Sequence, residues 1–215
     1  MASSDARDRI LEAALALFRE RGFAETTMRD IATRAKVATG LAYYYFESKD
    51  AIVLAFYQRA RHDLPPLLEA AHRERTLAAR IRALIEAKFR YFAPNRRFLG
   101  ALMGHAADPD NPLSPFNPSS REIRDFDVAH FERALADTRT RVPADLSPHV
   151  AKMFWLYQMG LMLFWIYDRS TGQRRTHQLL QASLDVVVAL LKISSLPLLK
   201  PARARVLRIV TILEG

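Results

Sequence analysis

Apolar residues recur along this chain at three- and four-residue steps almost from end to end, and nowhere do they alternate long enough to predict a strand. Ile10, Leu11, Ala14, Leu17 and Phe18 line one face of a helix over residues 5–21, and Gly22 follows it in the position where a left-handed residue stops a helix. Phe23 turns the chain back toward a core. Thr27 and Asp30, three apart, read as the cap and first turn of a short helix ending near Arg34. After a few turn residues a second short helix is predicted over about 38–44. Ser48 then caps a longer helix that ends before Pro65-Pro66.

Helical periodicity continues to the C-terminal part: about 77–93 (stopped by Pro94), 96–106, 119–140, 146–169 and 174–195, with a last basic helix over about 202–213 beyond Pro197 and Pro201. The prolines at 109, 112, 115 and 118 forbid a helix there and predict a loop. The expected fold is all-α: an N-terminal three-helix helix-turn-helix domain, residues 1–50, followed by a longer helical domain, residues 51–215.

Composition narrows the class. The chain has 215 residues, half of them hydrophobic, and no cysteine, so disulfides, thiolate chemistry and Cys-based zinc sites are excluded. The absence of cysteine fits a reducing cytoplasm, and the N-terminus lacks the basic-then-apolar run of a signal peptide. The most apolar stretch, Met153 to Tyr167, is too short to span a bilayer, which takes about 20 residues, so no membrane is expected. The net charge of +9 favours an anionic partner. In residues 1–50, however, eight bases are balanced by eight acids, and the excess falls later, in runs such as Lys200-Arg203-Arg205-Arg208.

Two short helices with a tight turn, supported by a preceding helix, predict a helix-turn-helix whose second helix enters the major groove of DNA, about 12 Å wide. Ile31, Ala32, Val37 and Ala42 would join the pair, leaving Thr39, Gly40, Leu41, Tyr43 and Tyr44 outward. Phenol hydroxyls donate to phosphates, aromatic rings pack on sugars and thymine methyls, and Gly40 permits close backbone approach. Lys49, in the first turn of the next helix, is placed to reach a phosphate.

These residues resemble the TetR family of one-component bacterial regulators over about 7–56. The resemblance rests on Leu17-Phe18…Gly22-Phe23, Thr26-Thr27…Ile31-Ala32, Ala35-Lys36-Val37 and Tyr43-Tyr44-Tyr45-Phe46-Glu47-Ser48-Lys49-Asp50. It implies base-edge contacts from Thr39, Gly40, Leu41 and Tyr43, and phosphate contacts from Thr27, Tyr44, Tyr45 and Lys49. Charge and position add Arg29 and Lys36, while Phe46 reads as core. Three positions depart from the family pattern: Lys36 for the usual turn glycine, Ala38 for a Ser/Thr cap, and Leu41 for a polar base-contacting residue. Readout is therefore expected to lean on apolar contact and DNA shape.

The resemblance further implies a homodimer through helices about 146–169 and 174–195, with Gly160 allowing close approach, reading a palindromic double-stranded operator. It also implies a small-molecule effector, largely apolar, held among Phe92, Met103, His105, Phe126, Phe131, Trp155 and Met159. The implied action is repression relieved by that ligand, with no cofactor. Asp127-x-x-His130 has metal-like spacing but reads as a surface pair, and no metal site is expected. An enzyme reading lacks a Gly-rich phosphate loop, a nucleophile elbow, paired carboxylates and a ligand cluster. A membrane-surface helical module rests on the basic, Leu-rich 196–210 segment alone.

Overall fold

The computed structural model describes residues 2–106, 108, 110–196, 198, 200–201, 203–205 and 207–208; for residues 2–4, 101 and 103–106 it describes the backbone alone. Among the described residues there is no strand, and ten α-helices follow in order. They are α1 (Ala2–Glu20), α2 (Met28–Ala35), α3 (Thr39–Tyr45), α4 (Lys49–Asp63), α5 (Pro65–His72), α6 (Leu77–Phe92), α7 (Arg96–Ala106), α8 (Arg121–Asp137), α9 (Ser147–Tyr167) and α10 (Arg174–Ile193). The helix expected over 202–213 lies mostly outside the described residues. One helix was not anticipated: α5 begins on the Pro65-Pro66 pair read as a stop. Proline is tolerated in the first turn, where its missing N–H has no intrahelical partner to lose.

The chain packs as two units, each discontinuous in sequence: Met1–Pro65 with Tyr91–Arg124, and Pro66–Arg90 with Asp125–Gly215. The sequence-based division, by contrast, is a single cut after residue 50. In the first unit α1 packs against α2, α3, α4 and α7. Its predicted face is buried throughout: Ile10, Leu11, Ala14, Leu17 and Phe18 are all almost fully enclosed. Phe18 stacks on Phe98 at 4.9 Å and meets Phe23 at 5.1 Å. Gly22, at φ 92°, turns the chain out of α1, and the buried Thr26 hydroxyl donates to its carbonyl at 2.8 Å. Arg34 of α2 forks onto Glu20 of α1 at 3.0 and 2.6 Å, which holds the Glu20 carboxyl below its ordinary value.

The proline-rich loop is a ladder of turns rather than an unpatterned loop. At three-residue steps Asn111 donates its N–H to Asp108 O, Ser114 to Asn111 O, Asn117 to Ser114 O and Ser120 to Asn117 O. The side chains of Asp108, Asn111, Ser114 and Asn117 each accept from the N–H two residues on. Short polar side chains followed by proline favour this geometry, because the side chain mimics a backbone turn and the ring fixes φ.

In the second unit α10 packs on α9. Phe89 stacks on Trp165 at 5.2 Å and Phe131 lies 5.9 Å from Phe154. Asp168, just past α9, accepts hydrogen bonds from Ser170 N–H (2.9 Å) and from Thr176 N–H and hydroxyl (2.9 and 2.8 Å). Burial opposes its ionisation, but these bonds prevail and hold the carboxyl far below its ordinary value. No helix among the described residues is long and apolar enough to cross a membrane.

Candidate nucleic-acid interface

The helix-turn-helix is built by local chemistry at each end of each helix. The Thr27 side chain accepts from Asp30 N–H at 3.2 Å, and the Asp30 carboxylate accepts from Thr27 N–H at 3.0 Å, closing a capping box at α2. The Thr27 hydroxyl also donates to Asp30 at 2.7 Å; these Thr27 hydrogen bonds hold the Asp30 carboxyl below its ordinary value. At the far end Lys36 takes the left-handed conformation (φ 56°, ψ 48°), and Val37 N–H returns to Ala32 O at 3.0 Å. That explains why glycine is usual here: a side chain in this region strains the backbone.

α3 starts without a side-chain cap at Ala38. Ile31, Ala32 and Ala42 are enclosed between the helices, while Val37 is half-buried. Thr39, Gly40, Leu41, Tyr43 and Tyr44 are exposed, Tyr44 to 80%. Tyr45 is half-buried, edge-on to Tyr44 at 5.2 Å. Phe46 lies in the core at the end of α3, with the Arg7 guanidinium of α1 over its ring at 5.0 Å. Arg7 of α1 therefore packs on the residue that ends α3, a contact no local pattern in the sequence marks. The Ser48 side chain accepts from Ala51 N–H at 3.1 Å and starts α4.

Arg29, in the first turn of α2, and Lys36, at its C-cap, are both exposed. Lys49 is placed differently. Its ammonium donates to Phe23 O at 2.6 Å and to Ala24 O at 3.3 Å, and sits 4.5 Å from the Phe23 ring centroid. It ties the start of α4 to the loop that delivers α2.

A second exposed face lies on α9 and α10. Met153, Leu156, Leu163, Phe164 and Tyr167 on α9, and Leu179, Val186, Leu190 and Ile193 on α10, are each more than a third exposed. They recur mainly at three-, four- and seven-residue steps, which draws a stripe along each helix. Gly160 lies within the α9 stripe, and a Cβ there would meet nothing within 4 Å.

The residues proposed to hold an effector fall in both units. Phe92 belongs to the first, edge-on to Phe56 at 5.8 Å and to Tyr91 at 5.0 Å. Phe126, Phe131, Trp155 and Met159 belong to the second: Phe131 and Trp155 are buried, Phe126 and Met159 half-buried. The side chains of Met103 and His105 lie outside those described.

The second unit also buries a polar network that sequence reading missed. Lys88 donates to Asp127 at 2.7 Å and to Gln158 at 2.8 Å, and Gln158 donates to Asp127 at 3.0 Å. Burial draws the Lys88 ammonium below its ordinary value, and Asp127 pulls it partly back. His130 meets His72 across 3.0 Å, and burial pushes its imidazole down to about 4. Asp127 and His130 are thus not the surface pair their spacing suggested: both turn inward, to different partners. No group of three metal-ligating side chains occurs among the described residues.

A capped helix-turn-helix that turns its second helix to solvent is the architecture of DNA-binding regulators. Residues 10–56 match the model for bacterial regulatory proteins of the tetR family, and residues 80–203 match that for the tetracyclin repressor-like C-terminal domain. The chain belongs to the TetR family of transcriptional regulators.

It is similar to the transcriptional regulator BetI of Burkholderia thailandensis, at 28% identity over 158 residues, 70% of this chain and 80% of that protein. An HTH-type transcriptional repressor of Mycobacterium tuberculosis is 46% identical over 61 residues, 28% of this chain and 32% of that one. A tetR-family regulator from Streptomyces coelicolor shares the fold, with TM-score 0.62 at 23% identity over 97% of this chain and 89% of that one. These matching families and relatives are transcriptional regulators, not enzymes.

Proposed function

We propose that this protein is a cytoplasmic homodimer that binds a palindromic operator, represses transcription from it and leaves it when a small, largely apolar molecule binds its C-terminal domain. The observation that carries the DNA reading is α3, whose exposed residues lie between a capping box and a buried aromatic anchor. Residues 1–50 serve as the reading head, and residues 51–215 hold the ligand and the dimer contact. Thr39, Gly40, Leu41 and Tyr43 face base edges; Arg29, Lys36, Tyr44 and Tyr45 serve phosphates. Thr27 can touch phosphate through its hydroxyl proton only by giving up the bond to Asp30, and two of the three donors of the Lys49 ammonium are spent on Phe23 and Ala24, so the first task of both is to hold α2 in place.

The apolar stripes of α9 and α10 support a two-fold contact that spaces two reading heads for two half-sites. Phe126, Phe131, Trp155 and Met159, all of the second unit, are the proposed effector contacts. Ligand and DNA then oppose each other reciprocally, because each favours a different state of the dimer.

The test is selection of duplexes from a random pool by the purified protein, followed by anisotropy titration at several salt concentrations. A palindrome should emerge and bind more weakly as salt rises, through counterion release. Tyr44→Ala should weaken every duplex by about tenfold while leaving thermal stability within about 0.5 kcal/mol. Failure to enrich any palindrome overturns the reading.

A further inference from the structure

The seven residues of α3 are Thr39, Gly40, Leu41, Ala42, Tyr43, Tyr44 and Tyr45. None is arginine, lysine, asparagine or glutamine, the side chains that grip guanine or adenine with two hydrogen bonds at once. A reading helix without them must take sequence information from other groups. At about 100° per residue, Gly40 and Tyr44 lie on the side opposite the buried Ala42, with Leu41 and Tyr43 flanking them.

Leu41, flanking that outward side, is 38% exposed. Gly40 beside it is unexplained by the chain itself. It does not occupy the left-handed region, and an added Cβ would meet nothing within 4 Å. Glycine weakens a helix relative to alanine, so we take its use to lie outside the chain, in the close backbone approach it permits one residue before Leu41.

We infer that Gly40 and Leu41 form a seat for the C5-methyl group of a thymine, and that each operator half-site is read at that base pair by its methyl rather than by hydrogen bonds. The inference rests on the DNA-reading role proposed above. The major-groove edge of thymine presents one apolar group, and an apolar side chain is its natural complement. The exposed Tyr44 hydroxyl suits the phosphate backbone and fixes the approach.

The test replaces each thymine of the selected operator in turn with deoxyuridine, which keeps O4 and the base pairing and loses only the methyl. One thymine in each half-site should matter, at about fourfold in affinity per methyl removed. Leu41→Ala should abolish most of that difference. Gly40→Ala should match or exceed the parent in thermal stability and yet bind the thymine operator more weakly.

If a palindrome binds selectively but every deoxyuridine duplex binds as well as its thymine parent, the methyl seat is wrong and the DNA-reading role stands. If Leu41→Ala weakens thymine and deoxyuridine duplexes alike, Leu41 does not read the methyl and the inference falls. If no palindrome is enriched, both readings fall together.

Discussion

Two faces of this molecule leave large apolar side chains in water, and they are chemically unlike. On α3 the exposed rings carry hydroxyls and sit on a seven-residue helix, and the helix before it carries the exposed cation Arg29 and ends on the exposed Lys36. On α9 and α10 the exposed groups are mostly aliphatic and run along helices of 21 and 20 residues. The first can satisfy a partner that alternates charge with flat apolar edges, as a DNA groove does. The second suits a long surface of its own kind, since helical stripes of matching period interdigitate. An exposed apolar residue therefore says little until its polar atoms and the length of its element are counted with it.

The contrast can be broken most sharply at Leu190, 56% exposed on the α10 stripe. Leu190→Asp places two carboxylates in the proposed two-fold contact. Dimerisation should weaken by at least about a hundredfold, or about 3 kcal/mol, with helicity unchanged. Sedimentation that still shows a dimer would remove the stripe from the interface.

A smaller effect is expected at Lys49. If it serves the fold, Lys49→Met costs about 1–3 kcal/mol of stability, and the salt dependence of DNA binding keeps its slope. A slope reduced by about one phosphate would return Lys49 to the DNA contacts.

The smallest effect is expected at Lys36. Lys36→Gly relieves the left-handed strain, offset in part by the greater freedom of the unfolded chain, for a net gain of less than about 1 kcal/mol. The same variant should lose one phosphate contact in the salt slope, and its dimerisation should equal the parent's.

The reading head was legible because its signals are local. Gly22, Thr27 with Asp30, and Ser48 each mark a helix end within a few residues, and the structure uses all of them as caps or stops. The helix ends of the C-terminal part were legible for the same reason. What those helices touch was not. α9 is apolar on nearly every side, so periodicity cannot tell the face that meets its own chain from the face left open. Pro65-Pro66 misled because the same residue stops one helix and opens the next. Lys88, Asp127 and Gln158 come from α6, α8 and α9, and their meeting depends on tertiary packing that no window of sequence contains.

That buried trio also constrains how the chain can change over time. Loss of either charge strands the other away from water, at about 3–5 kcal/mol, whereas joint replacement by apolar groups of equal volume is close to neutral. One residue at a time, drift away from the trio must cross a valley of unstable intermediates. The three positions are therefore expected to be inherited as a block, and to change together or not at all.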